Sequence, residues 1–282
     1  MWIQKWIENG KHLDNIPLIA IIPAYNIGGM MNRSGSSRAN QDGPEEHGFR
    51  GNARNLDLNR DFIKMDSYNS QSFVKLFQQM KPHIFIDTHT SNGADYQYTM
   101  TLISTQKDKL NPVLSKLMTE SMEPFLYGNM KKQGWEMAPY VNVFGRTPND
   151  GMAAFLETPR YASGYTSLFN SIGFITETHM LKPYKDRVMS TYVFLQQIAD
   201  YCEKYTEQLL KVKMEAEQYD ASMKQVALNW KLDSSQYEER SFKGYEYEYQ
   251  NSVIAGQRLK YFKDKPASFN VNYYSTFKSK EE

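Results

Sequence analysis

His47-Gly-Phe-Arg-Gly-Asn-Ala-Arg-Asn-Leu-Asp-Leu-Asn-Arg-Asp-Phe62, followed after a helical interval by His83-Ile-Phe-Ile-Asp-Thr-His-Thr-Ser-Asn92, decides the reading of this chain. The first block gathers Arg50, Arg54, Asn59 and Arg60. Arginine is the side chain best shaped to grip a carboxylate through two parallel hydrogen bonds. The second block places His89 just past an apolar run, Ile84-Phe85-Ile86, that reads as a buried strand. A histidine at the end of a core strand is a natural metal ligand. A carboxylate clamp beside a metal ligand points to chemistry next to a free carboxylate.

Outward from this stretch, strands and helices alternate. Leu18–Pro23 reads as a short buried strand, with residues 2–12 before it as the end of a helix. Residues 32–55 form a long polar loop of the kind that carries function. Asp66–Met80 has helical periodicity, with Phe73, Leu76, Phe77 and Met80 on one face and Pro82 as its stop. Gly93–Ser104 reads as a strand, Lys107–Tyr127 as a helix, and Met152–Glu157 as a strand. Pro159–Tyr165 is a turn-prone loop, and Ile172–Glu177 is a further strand. Asp186 to about Ala216 reads as one long helix with Val188, Tyr192, Leu195 and Ile198 on its apolar face. Such alternation implies an α/β fold with a mixed sheet. Residues 1–216 are expected to form that domain. Residues 217–282 are a polar, Tyr- and Lys-rich extension, read as a β-hairpin or part of a further domain. Gly244–Tyr249 alternates like a strand, with Arg258–Phe262 as its partner.

Composition narrows the class. Lys and Arg number 33 against 32 Asp and Glu, a net charge of +1, which argues against a nucleic-acid partner. No run approaches the ~20 apolar residues of a membrane span. No signal peptide is visible, and the compartment stays unread, periplasmic or extracellular if a longer N-terminus exists. The single cysteine, Cys202, excludes an intrachain disulfide and a Cys-based zinc site. His47, His83 and His179 read as structural, with His179 worth watching beside the acid Glu177.

In order along the chain, I-I-P-A-Y-N, N-L-D-L-N-R-D-F, F-I-D-T-H and G-F-I-T-E-T-H resemble the M14 family of zinc metallocarboxypeptidases, over roughly Leu18 to Tyr201. The resemblance implies a three-layer α/β/α fold with a mixed, mostly parallel central sheet. It implies one zinc ion with His89 among its ligands and Glu177 as catalytic base. Asn59 and Arg60 would hold the substrate's C-terminal carboxylate. Arg50 would stabilise the oxyanion, with Arg54 as the alternative. Tyr161, or else Tyr165, would close over the substrate. The implied reaction is hydrolysis of the C-terminal peptide bond of a peptide, a proteolysis.

One departure stands out. The family's first two ligands come from a His-x-x-Glu motif, whereas His12 here is followed by Leu13-Asp14-Asn15. A catalytic zinc normally takes three protein ligands. The expectation is therefore an N-terminally incomplete form whose own zinc site is in question. The alternatives are a non-catalytic peptide- or carboxylate-binding module, or a site completed by Asp87, Asp95 or His179. A zinc deacylase of N-acyl amino acids is a rival on the same fold.

Overall fold

The computed structural model of the chain describes residues 17–38, 40–254 and 256–279. His12 and the expected helix at 2–12 lie outside them. A four-stranded sheet forms the middle of the molecule. Its strands are β1 (Ile84–Ser91), β2 (Met100–Ser104), β3 (Met137–Pro139) and β4 (Ile172–His179), in the order β1-β4-β2-β3. β1 and β4 are parallel, β4 and β2 antiparallel, β2 and β3 parallel. The sheet is mixed, as the alternation of elements implies, with two of its three strand pairs parallel.

Successive strand residues point to opposite faces, and both faces are covered. Ile84 and Ile86 of β1, with Ile172 and Phe174 of β4, pack into one large core. Helices α2 (Pro112–Leu117), α3 (Glu123–Lys132), α5 (Tyr184–Lys204) and α6 (Thr206–Ser222) supply the rest of it, including Leu114, Leu126, Met130, Phe194 and Val212. Phe85 faces the other way. It meets Phe73 and Phe77 of α1 (Tyr68–Met80) and Tyr165 of α4 (Ala162–Thr166). Helix α4 lies so close to β4 that a Cβ on Gly173 would stand 2.8 Å from the Ser163 Cβ. Glycine is needed there for the close approach.

Helix α1 begins where the sequence allows a cap. The Ser67 side chain accepts from the Ser70 N–H. Lys81, in the left-handed region at φ 43°, ends it before Pro82.

Several expectations are corrected. Leu18–Pro23 is no strand: Leu18 is 85 % exposed and Ile21 55 %. A buried strand needs a ladder partner and a covering layer, and this run has neither among the described residues. Leu76 is half-exposed, not part of the apolar stripe of α1. The strand expected from Gly93 narrows to β2, because Tyr96 and Tyr98 leave the sheet plane to form a second core. Met152–Glu157 keeps only Met152–Ala153 as strand. The single helix expected over 186–216 is two helices, broken at Tyr205, with Val188 exposed. The break turns α6 back so that Ala216 C=O accepts from Asn111 Nδ2 and Lys213 Nζ reaches the Phe169 and Asn170 carbonyls.

A long hairpin follows, β5 (Glu238–Ser252) with β6 (Gly256–Tyr274), antiparallel throughout. Residues 262–265 stand opposite Glu246 alone, just before Pro266, which has no N–H for the ladder. The base of the hairpin packs on the domain. Phe242, Val271 and Tyr273 meet Tyr96, Tyr98 and Met152. The Lys243 N–H donates to Tyr98 Oη at 3.1 Å, and Gln97 Nε2 donates to the Gly244 carbonyl at 2.7 Å.

Candidate functional site

β1 and β4 run in parallel register with His89 opposite Glu177. Neighbouring strands lie about 4.8 Å apart, so opposed side chains on one face touch. Asp87, two residues before His89, shares that face. His89 Nε2 lies 2.9 Å from Asp87 Oδ2, and Nδ1 lies 3.4 Å from Glu177 Oε1. Burial alone would lower the His89 pKa. The charge and hydrogen bonds of Asp87, then of Glu177, overrule it and raise it to about 10. The ring is an imidazolium with both N–H groups donating to carboxylates.

The same arrangement tests the zinc expectation. A zinc ligand must offer a nitrogen lone pair, and both nitrogens of His89 are turned to carboxylates. Asp87 and Glu177 sit on different nitrogens, so the three groups do not converge on one point. Among the described residues no group of three or more His, Cys, Asp or Glu is placed to hold a metal ion. The described residues therefore do not fit a three-ligand zinc site. The alternatives Asp95 and His179 do not complete one: they lie under the hairpin, with Asp95 paired to Lys182 at 3.1 Å.

The arginine block folds as a tight turn, Leu58–Arg60. Asp57 Oδ1 accepts from the Asn59 N–H at 3.0 Å and starts the turn. Asp61, 3 % exposed, ends it and ties it to α1. Its carboxylate accepts from both Ser67 groups, the N–H and Oγ, from Ser70 Oγ and from the Asp66 N–H. Burial works against the charge, yet these donors hold the Asp61 carboxyl below the usual carboxylate range. The anchor aims Arg60 at Tyr161, the residue capping α4, with the guanidinium carbon 4.3 Å from the ring centroid. Arg60 Nη1 donates to the Asn59 carbonyl at 2.8 Å, and the Asn59 Oδ1 is buried without a hydrogen-bond partner. Arg60 has no carboxylate partner among the described residues.

Tyr140 joins this side to the Glu177 side. Burial raises its pKa, and Glu177, Tyr161 and Arg60 all act on it electrostatically. Phe155 closes the wall, its ring 6.1 Å from Tyr140 and 5.1 Å from Tyr161. Glu177, with His89 beside it, and Arg60, with Asn59 and Tyr161 beside it, thus approach Tyr140 from two sides of a candidate cleft, within electrostatic range of its hydroxyl.

Three residues of the sequence reading stand apart from it. Arg50 gives both Nε (3.1 Å) and Nη2 (2.9 Å) to Asp57 Oδ2 and is half-exposed. Arg54 is exposed, with its backbone N–H on Asn52 Oδ1. Tyr165 is 4 % exposed within the aromatic core of Phe73, Phe77 and Phe169, so it is packing, not a closing tyrosine. Conversely, the sequence marks neither Tyr140 nor Phe155 as a site residue, and it offers Asp61 only as an ion-pair partner of Arg60, whereas Asp61 is the anchor to Ser67 and Ser70. The serine pair at 67 and 70 was a legible signal for a capped turn near Asp61. Tyr140 and Phe155 carry no local signal, because they reach the cleft only through the folding of the segment after β3.

No family model matches the sequence, and no curated protein does. Among solved structures, the chain is similar to a metallo-carboxypeptidase from Pseudomonas aeruginosa in complex with (2-guanidinoethylmercapto)succinic acid. The identity is 16 %, over 60 % of this chain and 44 % of that one, with a TM-score of 0.42. It is also similar to a metallo-carboxypeptidase from Burkholderia cenocepacia, at 14 % identity over 56 % of this chain and 42 % of that one, with a TM-score of 0.40. The chain spans less than half the length of either. At these values the likeness is a partial overlap of fold and says nothing of activity.

Proposed function

We propose that the cleft receives the C-terminal end of a peptide, and that the protein is a metallocarboxypeptidase-like hydrolase acting on the C-terminal peptide bond. The observation that carries this reading is Arg60, a guanidinium without a carboxylate partner among the described residues, stacked on Tyr161 and within electrostatic range of the same Tyr140 that Glu177 influences. A peptide carboxylate would supply the missing counter-ion through a charge-assisted pair. Asn59 would hydrogen-bond beside it. Tyr161 stacks the guanidinium and keeps its fork directed. Glu177, on the last buried strand, is the group placed to take a proton from water, the role of a general base. The imidazolium of His89, with Nδ1 3.4 Å from Oε1, orients that carboxylate.

The metal donors are the weak point of the hydrolytic half. The described residues offer His89 and no set of three, which favours a second reading, a carboxylate-binding module without catalysis. Two measurements separate these. Calorimetry with acetyl-dialanine against its C-terminal amide reads the carboxylate. A tenfold or greater preference for the acid, about 1.4 kcal/mol, lost in Arg60→Gln, supports the cleft, and equal binding of acid and amide sinks it. Elemental analysis of the 282-residue chain after zinc loading reads the metal. Near-stoichiometric zinc that disappears in His89→Ala supports the hydrolase, while zinc-free protein that still binds the acid supports the module.

A further inference from the structure

A cavity of about 260 Å³ adjoins the cleft, sharing Tyr140 and Phe155 as its wall. Its other sides come from β2, from α3 and the turn before it, and from the base of the hairpin. Glu123, Tyr127, Thr119 and Tyr273 line it there. We propose that this cavity takes a cationic side chain, lysine or arginine, of the bound peptide, and that Glu123 is its specificity-determining residue; this rests on the peptide reading above.

Three independent features lead there. The first is charge. Two cations also border the cavity, and both are engaged: Lys107 pairs with Asp108 at 3.0 Å, and Arg240 pairs with Glu238 at 2.6 Å. Glu123 has no ion-pair partner among the described residues. The unbalanced charge inside is negative. Burial, the largest influence, pushes the Glu123 carboxyl above its usual range, against the Ser104 hydroxyl and the more distant Arg240 and Lys107. An entering cation would reverse that direction.

The second feature is the lining. Tyr127, Tyr140 and Phe155 line the cavity with Glu123, and a fourth ring, Tyr273, already carries a cation, the Arg240 guanidinium carbon 4.6 Å from its centroid. Rings and a carboxylate together suit an ammonium or guanidinium, since the ring face attracts cations. They suit an anion poorly.

The third is backbone geometry. Met118–Met122 is a π-helical turn between α2 and α3, and the Glu123 N–H donates to the Met118 carbonyl five residues back. Such a turn shifts the helix phase by one residue and is frequent at functional sites. Here it sets Thr119, Glu123 and Tyr127, four residues apart, on the cavity side.

The test is calorimetry on the full chain with acetyl-Lys-Ala, acetyl-Ala-Lys and the two norleucine counterparts. Norleucine keeps the length and removes the charge. The wild type is expected to bind one lysine peptide about 10-fold tighter than its norleucine twin, as one charge-assisted pair with a cation–π contact would give. Glu123→Gln, nearly isosteric, is expected to erase that preference and leave norleucine binding unchanged. Equal binding of lysine and norleucine peptides by the wild type overturns the proposal, as does a preference that survives Glu123→Gln. n-Butylguanidinium alone distinguishes the cavity from the cleft. If it binds the wild type but not Glu123→Gln while no peptide binds, the cation site stands and the peptide reading falls. If it fails to bind as well, the cavity assignment falls.

Discussion

His89 and His179 lie on the same face of the same sheet, opposite Glu177 and Ser91 respectively, and they hold opposite charge states. His89 keeps its side chain 21 % exposed between two carboxylates, which raise its pKa to about 10 against the effect of burial. His179 is fully buried, with its ring on Tyr96 at 4.6 Å. Its Nδ1 accepts from the Leu181 N–H at 3.2 Å. Burial, outweighing Asp95, lowers its pKa to about 4. The hairpin makes the difference. Tyr245 and Lys263 reach Lys182 and Asp95 beside His179, whereas among the described residues no hairpin side chain is paired with Asp87 or Glu177 beside His89. A charge in the sealed cluster serves the fold, and a charge in the open one is free to serve a ligand.

The sharpest way to break this contrast is to remove one partner from each cluster. Lys182 Nζ donates to Asp95 Oδ1 at 3.1 Å and to the Tyr96 carbonyl, and both side chains are at most 10 % exposed. Lys182→Met leaves Asp95 with the Tyr96 N–H at 2.9 Å and, among the described cations, Lys263 at 3.8 Å. Loss of one partner of a buried pair is expected to lower the unfolding free energy by about 3 kcal/mol, read by urea denaturation. In the open cluster, Glu177→Gln leaves Asp87 to hold the ring. Stability should fall by about 1 kcal/mol, while on the proposed hydrolase reading C-terminal hydrolysis falls ~10²-fold or more. If the two variants exchange these profiles, the division between sealed and open charge is wrong.

The next effect is smaller and depends on pH. The His179 pKa is depressed in the folded state from 6.5 to about 4. On acidification the unfolded chain takes up the proton first and the folded chain resists it. The His179 contribution to stability is therefore complete above pH 6.5, declines below it and is gone near pH 4. Its sign is the reverse of that of His89, whose contribution is present below pH 6.5 and lost as pH rises towards about 10. His179→Gln should flatten the acid side of a stability–pH curve and leave the alkaline side alone. A decline of undiminished slope between pH 6.5 and 4 in that variant would assign it to other groups.

What the sequence discloses follows the range of the forces involved. The strand at 84–86, the helix after Ser67 and the strand ending in E-T-H are legible because hydrophobic period, caps and Pro82 act locally. The opposition of His89 and Glu177 follows from two strands in register, and the order of motifs suggests it. The pairing of Arg50 with Asp57 is missed, since seven residues of irregular turn carry no period. The burial of Tyr165 is missed because a tyrosine beside Gly164 looks the same whether it closes a site or fills a core. The exposure of Leu18–Ile22 is the plainest failure: an apolar run reads as a buried strand only when something exists to bury it.

Arg50 gives the smallest predicted effect and the finest test of the open region. The resemblance makes Arg50 an oxyanion donor, a role whose loss costs ~10²–10³-fold in rate. In the structure its two nitrogens are on Asp57, and the pair is exposed, 53 % and 37 % by side chain. Exposed pairs contribute roughly 0–1 kcal/mol. Arg50→Gln should thus change the unfolding free energy by less than about 1 kcal/mol. If the Asp57 pair persists in the working state, the variant should also leave acetyl-dialanine binding within about twofold, well under the tenfold that marks 1.4 kcal/mol, where Arg60→Gln abolishes it. A large loss of rate with binding and stability intact would mean that Arg50 leaves Asp57 during turnover and reaches the reacting carbonyl. In that case Asp57→Asn, which frees the guanidinium, should raise the rate, and a fall would return Arg50 to the rim.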